Sequence, residues 1–559
     1  MKKRLIAAAA ACSLILSSCG GGPELVVQGS GEGDPSATTT TTVTTTTEAT
    51  TTTPPEPEYS DDCTADIGYF AISEENRFMS APTEYAIDGE NGVLSVNIDY
   101  DNYVDIYTLK NCIIDISVID GEYEVEEAAL NPDGTVDLTK LTRIVLTDSE
   151  GLHRKYNVVT DRTVYDIPIV NIYLEDMAGV YSIERYNYTN MTFFVDAEEV
   201  EGFSSTEVLS GRIRGRGHST WWWEKQPYRI KLDKGESVLG LDKNKDWILL
   251  ANYSDKSLMR NVVAYQMGHA LDGLDWTPTQ YPVDLFVNGK YRGVYTLGEH
   301  MEVGKDRVDI EKDSDEADTG YLLEVGGVIT WEEVKYYFHT DYGLANYVVI
   351  RSPEEDVITK EQRTFIQDYM NMAERAIISG SGYEEYIDVD SFCDWMIIHE
   401  LSYNLDSCFR RSCFITKDKG GKLKMGPIWD FDLAFGNYYI DNQNYSDWVT
   451  VGYGSSYNEA YVITNWYNYL MQSEDFRSRL RRRWYEVRDS LMDTAMSCID
   501  LCSEKMYASQ EKNFEVWQIW GEKVGYQSDR SAEYDSFELQ VQYIRDFIEM
   551  RAKWIDENI

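Results

Sequence analysis

Strand-like runs come first in this chain and helix-like runs come last, and that order limits the architectures open to it. After residue 60, apolar residues recur at every second position: Leu94, Val96 and Ile98, then Ile114, Ile116 and Val118, then Ile144 and Leu146, then residues 156–159. Turn-forming stretches at residues 88–92, 131–134 and 148–151 separate them. Short period-two strands at this spacing predict an all-β sandwich of immunoglobulin-like type over residues 61–163, with the modest role of a spacer. Residues 164–559 open with further strands and then change period. A hairpin over residues 282–297 turns at Asn288-Gly289,. A helix over residues 359–379 starts with a Thr359/Gln362 capping box and stops at Gly380,. Further helices fall at 390–403, 465–497 and 535–558, the last with Val541, Ile544, Ile548 and Ile555 on one face,. Strands followed by helices predict an α+β domain.

What precedes residue 61 is not core material. Lys2, Lys3 and Arg4 lead into an apolar stretch, residues 5–16, too short for a lasting membrane span and ending Leu-Ser-Ser-Cys,. Residues 1–19 therefore read as a lipoprotein signal peptide with Cys19 as the lipid attachment site. The expected localisation is extracytoplasmic, anchored to the bacterial cell membrane through that lipid alone. Residues 20–60 carry threonine runs and then Pro54, Pro55 and Pro57, a composition that buries nothing and reads as a disordered stalk,. The net charge of −45 argues against nucleic acid and anionic membrane surfaces as partners, because both require a basic face,. Of the nine cysteines, none forms a CxxC or a zinc spacing,. Export permits disulfides, and Cys63 with Cys112 is the first pairing to expect; Cys498 and Cys502, one helical turn apart, read as packed neighbours.

Chemistry-bearing residues concentrate in two places. Residues 399–437 hold Asp406 and, in Trp-Asp-Phe-Asp, Asp430 and Asp432. Between them an apolar run at 412–416, a charged turn at 417–422 and a return at 423–428 predict a hairpin, which folds its ends together and brings Asp406 and Asp430 to one cleft,. Clustered carboxylates suit a divalent cation with phosphate oxygens, and a carboxylate off the metal can accept a proton from an attacking hydroxyl. The competing reading is of solvated loop acids or helix caps, the default for carboxylates in so acidic a chain. Upstream, Arg214 and Arg216 alternate with Gly215 and Gly217, with Ser219 and Thr220 beyond, a flexible basic segment able to hold phosphate,. The following strand, residues 228–232, sets Tyr228, Ile230 and Leu232 on one face and Arg229 and Lys231 on the other; its competing reading is a surface hairpin.

These segments, GRIRGRGHSTWWWEKQPYRIKL at 211–232, NYSDKSLMRN at 252–261, VNGKYRGVYTLGEHM at 287–301, ELSYNLD at 400–406 and GPIWDFDLAFGN at 426–437, resemble the CotH family of atypical protein kinases from about residue 167 to the end. The resemblance implies a two-lobed kinase-like domain that uses ATP with Mg²⁺ or Mn²⁺ to phosphorylate Ser or Thr of a surface or secreted protein. It implies Asp406 as the base, Asp430 with Asp432 as metal ligands, and Arg214, Arg216, Ser219 and Lys231 at the nucleotide. Glu299 would pair with Lys231, with Glu302 as its competitor for that role; Asp255, Lys256 and Arg260 would shape the site, although Asp255 serves equally as a helix cap. Two positions depart from pattern. His218 stands where the family usually has Asn, and Arg411 stands five residues after the base, where an ordinary kinase has the Asn that holds a second metal. The alternative function is a non-catalytic surface scaffold or adhesion protein, linked to polysaccharide handling, that kept the fold.

Overall fold

The computed structural model describes residues 57–76, 84–163, 165–176, 178–312, 314–326, 336–345, 347–439, 445–451 and 464–559. The signal peptide, Cys19 and nearly all of the stalk lie outside these residues. Among the described residues no helix is long and apolar enough to cross a membrane.

The chain divides into two units. The first comprises the chain up to Ala71 with Tyr85–Ser95 and Ile114–Val159, and the second holds the remainder, including Val96–Ile113. In the first unit, strands at Glu84–Asp88, Val93–Ile98, His153–Arg162, Thr142–Asp148 and Gly121–Val125 form one five-stranded sheet in that order, and Asp66–Ile72 pairs with Ile114–Ile119 in a second. Alternation is the cause: Ile144 and Leu146 are buried while Arg143 and Val145 between them are not, as expected of a sheet with one face on a core. Cys63 and Cys112 are both buried but unbridged, which corrects the expected disulfide. Each thiol meets a backbone carbonyl instead, Cys63 at Leu152 (3.3 Å) and Cys112 at Ile113 (3.6 Å). The Cys498 and Cys502 sulfurs lie 4.0 Å apart, in contact and not bonded.

The second unit is more closed than an α+β reading foresees. Seven strands form a barrel in the order Leu209–Gly215, Tyr228–Glu236, Asn244–Leu250, Lys290–Glu299, Gln280–Val287, Ile169–Leu174 and Thr189–Asp196, the last returning to the first. Ile213, Ile230, Trp247, Leu285 and Tyr295 fill it. The hairpin forms around Asn288 and Gly289, both at positive φ (49° and 73°), the two-residue turn that an Asn-Gly pair favours,. A second sheet orders Tyr337–Phe338, Val348–Ser352, Tyr321–Val325, Cys413–Lys417 and Leu423–Met425, its last two strands being the hairpin expected between the two aspartate segments.

Helices complete the unit. Lys360–Ser379 has the Thr359/Gln362 capping box and ends at Gly380 in the left-handed region. Val389–Ser402 buries 13 of its residues, so it is apolar all round because it runs through the core. Glu474–Lys505 and Phe537–Asn558 pack beside it, and Val541, Ile544, Ile548 and Ile555 are all buried as their spacing requires. The chain is thus β-rich in its N-terminal part and helical towards its C-terminus.

Candidate active site

Residues 399–437 are held in an unusual backbone. Tyr403, Phe409, Ser412, Asp430 and Phe435 all have φ between 48° and 69°, a region that costs a non-glycine residue roughly 1 kcal/mol or more. Hydrogen bonds hold the strained chain in place. Asp430 donates its N–H to the Tyr265 hydroxyl (3.2 Å) and its carbonyl accepts from Asn404 (3.0 Å). Phe431 N–H reaches Asn261 Oδ1 at 2.7 Å, and Asn437 Nδ2 donates to the Asp432 carbonyl at 2.8 Å. Asp255 and Arg260, both fully buried, form an ion pair at the start of the helix Arg260–His269, and Arg260 Nε donates to the Ala434 carbonyl (3.2 Å). Met259 holds the N-cap position without a side-chain bond; Asp255, four residues before it, accepts the first helical N–H, that of Arg260, at 2.9 Å and braces the arginine that fixes the aspartate loop. Lys256 is buried with its ammonium on the Glu522 carbonyl (2.5 Å); burial brings it down to about 8.

Three carboxylates converge in this frame. Burial pushes the Asp430 carboxyl up, and the neighbouring Asp406 pushes it further, while Arg216 and the Ser412 hydroxyl (3.3 Å) pull it down. Asp432 is raised well above the usual range by burial, then by Asp430, Asp406 and Asp255, and it accepts from the Ser254 hydroxyl at 3.4 Å. The two carboxyls act on one another, the contact drawing Asp430 down and pushing Asp432 further up,. Asp406 Oδ1 and Asn404 Oδ1 are buried and accept no hydrogen bond among the described residues.

A divalent cation fits this donor set. The oxygens are hard ligands, two of them are orphaned, and a cation would relieve the repulsion of acids crowded out of water. Among the described residues, however, no three His, Cys, Asp or Glu side chains stand ready in ligating positions.

Beside the acids lies a cleft of about 420 Å³ lined by Arg185, Tyr186, Arg214, Arg216, Arg229 and His300. The barrel register creates it. Arg214 and Arg229 stand directly opposite one another on adjacent antiparallel strands, on the face away from Ile213 and Ile230. Arg214 donates to the carbonyls of Arg185 (3.0 Å) and Gly215 (3.1 Å), and Arg229 pairs with Asp246 at 2.6 Å. Arg216 connects the two halves of the site: its largest favourable charge partner is Asp430, although burial still lowers its affinity for the proton. The glycines of this segment serve packing as well as flexibility. A Cβ on Gly215 would stand 2.2 Å from the Trp221 ring, and Gly217 has φ of +84°.

The remaining expected residues sit elsewhere. Lys231 is 40% exposed and faces Asp246 at 3.7 Å. It does not meet Glu299, which is buried, accepts the Thr279 N–H at 2.9 Å and lies 4.0 Å from Arg307. Glu302 goes to Asn244 (2.6 Å) and Arg307 (3.7 Å). The lysine–acid pairing is thus corrected to Lys231–Asp246, directly opposed in the ladder. Ser219 begins a short turn, Thr220–Trp222, without lining the cleft, and His218 is exposed. Sequence reasoning passed over Asp246, Arg185 and His300, and it set Arg229 beside Lys231 without giving it a role. The signal for Asp246 was a single acid inside the otherwise apolar end of Asn244–Leu250; Arg185 and His300 left no local signal.

A β-rich and helical body that sets guanidiniums against clustered, half-buried carboxylates has the parts of a kinase-like protein,. The chain belongs to the CotH kinase family: the model of that family, described as CotH kinase protein, matches residues 212–555. No curated protein matches it.

Proposed function

We propose that the protein is an exported, lipid-anchored atypical protein kinase that transfers the γ-phosphoryl group of ATP to a Ser or Thr hydroxyl of a surface or secreted protein. The observation that carries this reading is the junction at Arg216, where a guanidinium cleft meets Asp406, Asp430 and Asp432. In this reading residues 164–559 form the kinase domain and residues 61–163 an immunoglobulin-like spacer.

Arg214 and Arg216 hold phosphate oxygens and offset their charge, and Lys231 lies on the neighbouring strand as a further cation. Asp430 and Asp432, with the carbonyl oxygen of Asn404 nearby, would hold Mg²⁺ or Mn²⁺. When bound, that ion neutralises charge developing on the phosphates. The acceptor oxygen attacks the γ-phosphorus, the bond to the β–γ bridging oxygen breaks, and ADP departs with the electron pair. The acceptor's proton goes to Asp406, whose Oδ1 has no other partner to displace,.

The test is thermal unfolding of the protein with and without ATP plus Mn²⁺, together with phosphate transfer from labelled ATP. A ligand that binds only the folded state raises the midpoint. The expected result is a metal-dependent rise that Asp430→Ala abolishes, and label transfer that Asp406→Asn abolishes. No shift at millimolar nucleotide refutes the reading. One observation favours a non-catalytic scaffold instead: Arg411 occupies the place of the second metal-holding Asn. Nucleotide binding without any transfer is the result that reading requires.

A further inference from the structure

The segment that leaves the aspartate loop is stitched to residues 526–531. Asn437 accepts the Ser528 N–H at its carbonyl (2.9 Å) and the Ser531 hydroxyl at Oδ1 (2.7 Å), and Ser528 Oγ donates to the Gly436 carbonyl (2.7 Å). Tyr438 and Gln527 form an antiparallel bridge, and Tyr439 donates its N–H to the Tyr526 carbonyl at 2.9 Å. Asn437 Nδ2 meanwhile reaches the carbonyls of Asp432 (2.8 Å) and Ser254 (3.0 Å). Tyr438 is therefore buried and fixed by backbone bonds on both flanks. A side chain carried on so constrained a backbone can hold a functional group to the tolerance that chemistry needs.

That side chain points back towards the candidate base. The Arg410 guanidinium lies over the Tyr438 ring, 6.0 Å from its centroid, and Arg410 stands four residues after Asp406 in the same turn. The Tyr438 hydroxyl meets the Asp406 carboxylate as a hydrogen-bond donor. Burial first, and then Asp406, keeps the phenol proton in place far above its ordinary range, so the tyrosine serves here as a donor,. Even so, Asp406 Oδ1 is buried with no hydrogen-bond partner. The carboxylate thus has two unlike sides, one met by a hydroxyl and one oxygen left open. A hydrogen bond to the charged form favours that form and restrains rotation of the group.

We propose that Tyr438 is a positioning residue for phosphoryl transfer: its hydroxyl fixes Asp406 so that the open Oδ1 faces the acceptor hydroxyl. The inference rests on the kinase reading and adds to it the group that orients the base. A base must lie within hydrogen-bond reach of the proton it takes, so its orientation bears on the rate and not on nucleotide affinity. The acceptor's proton passes to Asp406 Oδ1, and the tyrosine keeps its own throughout. Arg410 seats the ring, so removing the hydroxyl alone separates the two contacts.

The test is Tyr438→Phe in the whole protein, with label transfer from ATP and Mn²⁺ to casein and to the protein itself. The kcat should fall about 10- to 100-fold, the loss typical of a hydrogen bond to a charged group. The KM for ATP should stay that of the parent, a split that a merely structural role would not produce. Thermal unfolding adds a measurement that needs no transfer. The midpoint of Tyr438→Phe/Asp406→Asn should depart from the sum of the two single shifts by about 2 °C or more, because both substitutions act on one contact. Parent-like kcat in Tyr438→Phe, a loss carried by KM alone, or additive midpoint shifts overturns the proposal. The two readings separate cleanly. A parent that transfers no label but shows non-additive shifts sinks the kinase reading and leaves Tyr438 as the residue that fixes Asp406, whereas transfer that Tyr438→Phe leaves intact overturns this inference alone.

Discussion

Replacing Asp255 with alanine tests the frame on which the candidate site depends. Asp255 and Arg260 are both 0% exposed, and the carboxylate also accepts the N–H groups of Arg260 (2.9 Å) and Ser257 (3.1 Å). Asp255→Ala strands a guanidinium in the core whose Nη2 already lacks a partner. Removing one member of a buried pair costs about 3–5 kcal/mol, because the other charge stays desolvated and uncompensated. At about 2 °C per kcal/mol for a large domain, the midpoint should fall by roughly 6–10 °C. The double variant Asp255→Ala/Arg260→Met removes the stranded charge and should recover at least half of that loss. Differential scanning calorimetry at neutral pH measures both. Since Arg260 Nε also holds the Ala434 carbonyl (3.2 Å), the single variant should weaken Mn²⁺–ATP binding without touching either ligand. A fall of less than about 2 °C, or a double variant less stable than the single one, would falsify the claim that this pair braces the aspartate loop.

Three further outcomes follow from other parts of the molecule. Asp284 is fully buried among the hydroxyls of Tyr291 (2.6 Å), Ser509 (2.6 Å) and Tyr100 (3.1 Å), and burial raises its carboxyl from 3.8 to about 6. Because the folded state holds that proton more tightly than the unfolded chain, its stabilisation is complete below about pH 4 and is lost as pH rises through about 6. Asp284→Asn should therefore gain about 3 kcal/mol relative to the parent between pH 4 and pH 7 in urea unfolding, and a constant difference would contradict the burial argument. Burial raises both Asp430 and Asp432, and a cation takes them ionised, so Mn²⁺ affinity should rise with pH and proton release should accompany binding in calorimetry in two buffers,. Gly215→Ala drives a methyl group into the Trp221 ring and should cost about 1–3 kcal/mol with a change in tryptophan fluorescence,; an unchanged melting curve would show that the loop yields freely.

What the sequence determined by itself was everything encoded within a few residues. Thr359 with Gln362 and Gly380 marked a helix because capping and the left-handed stop are local hydrogen-bond chemistry. Asn288-Gly289 marked a hairpin because few other pairs accept two successive positive φ angles. The stripe of Val541, Ile544, Ile548 and Ile555 marked a buried helix face because 3.6-residue periodicity survives in the amino-acid order. The family segments likewise singled out Asp406, Asp430, Asp432, Arg214 and Arg216, which the fold gathers around one site. Closure of the barrel was decided only in three dimensions, since Ile169–Leu174 runs parallel to Gln280–Val287 more than a hundred residues later. So was the choice of partner for Lys231. Side chains at register positions compete for the nearest acid, and the ladder sets Asp246 opposite it while Glu299 turns to Arg307. Arg185 and His300, far apart in sequence, join Arg214 for the same reason. Local patterns specify elements, but an anion cleft is a property of strand register and loop approach, and these depend on which surfaces can be buried together.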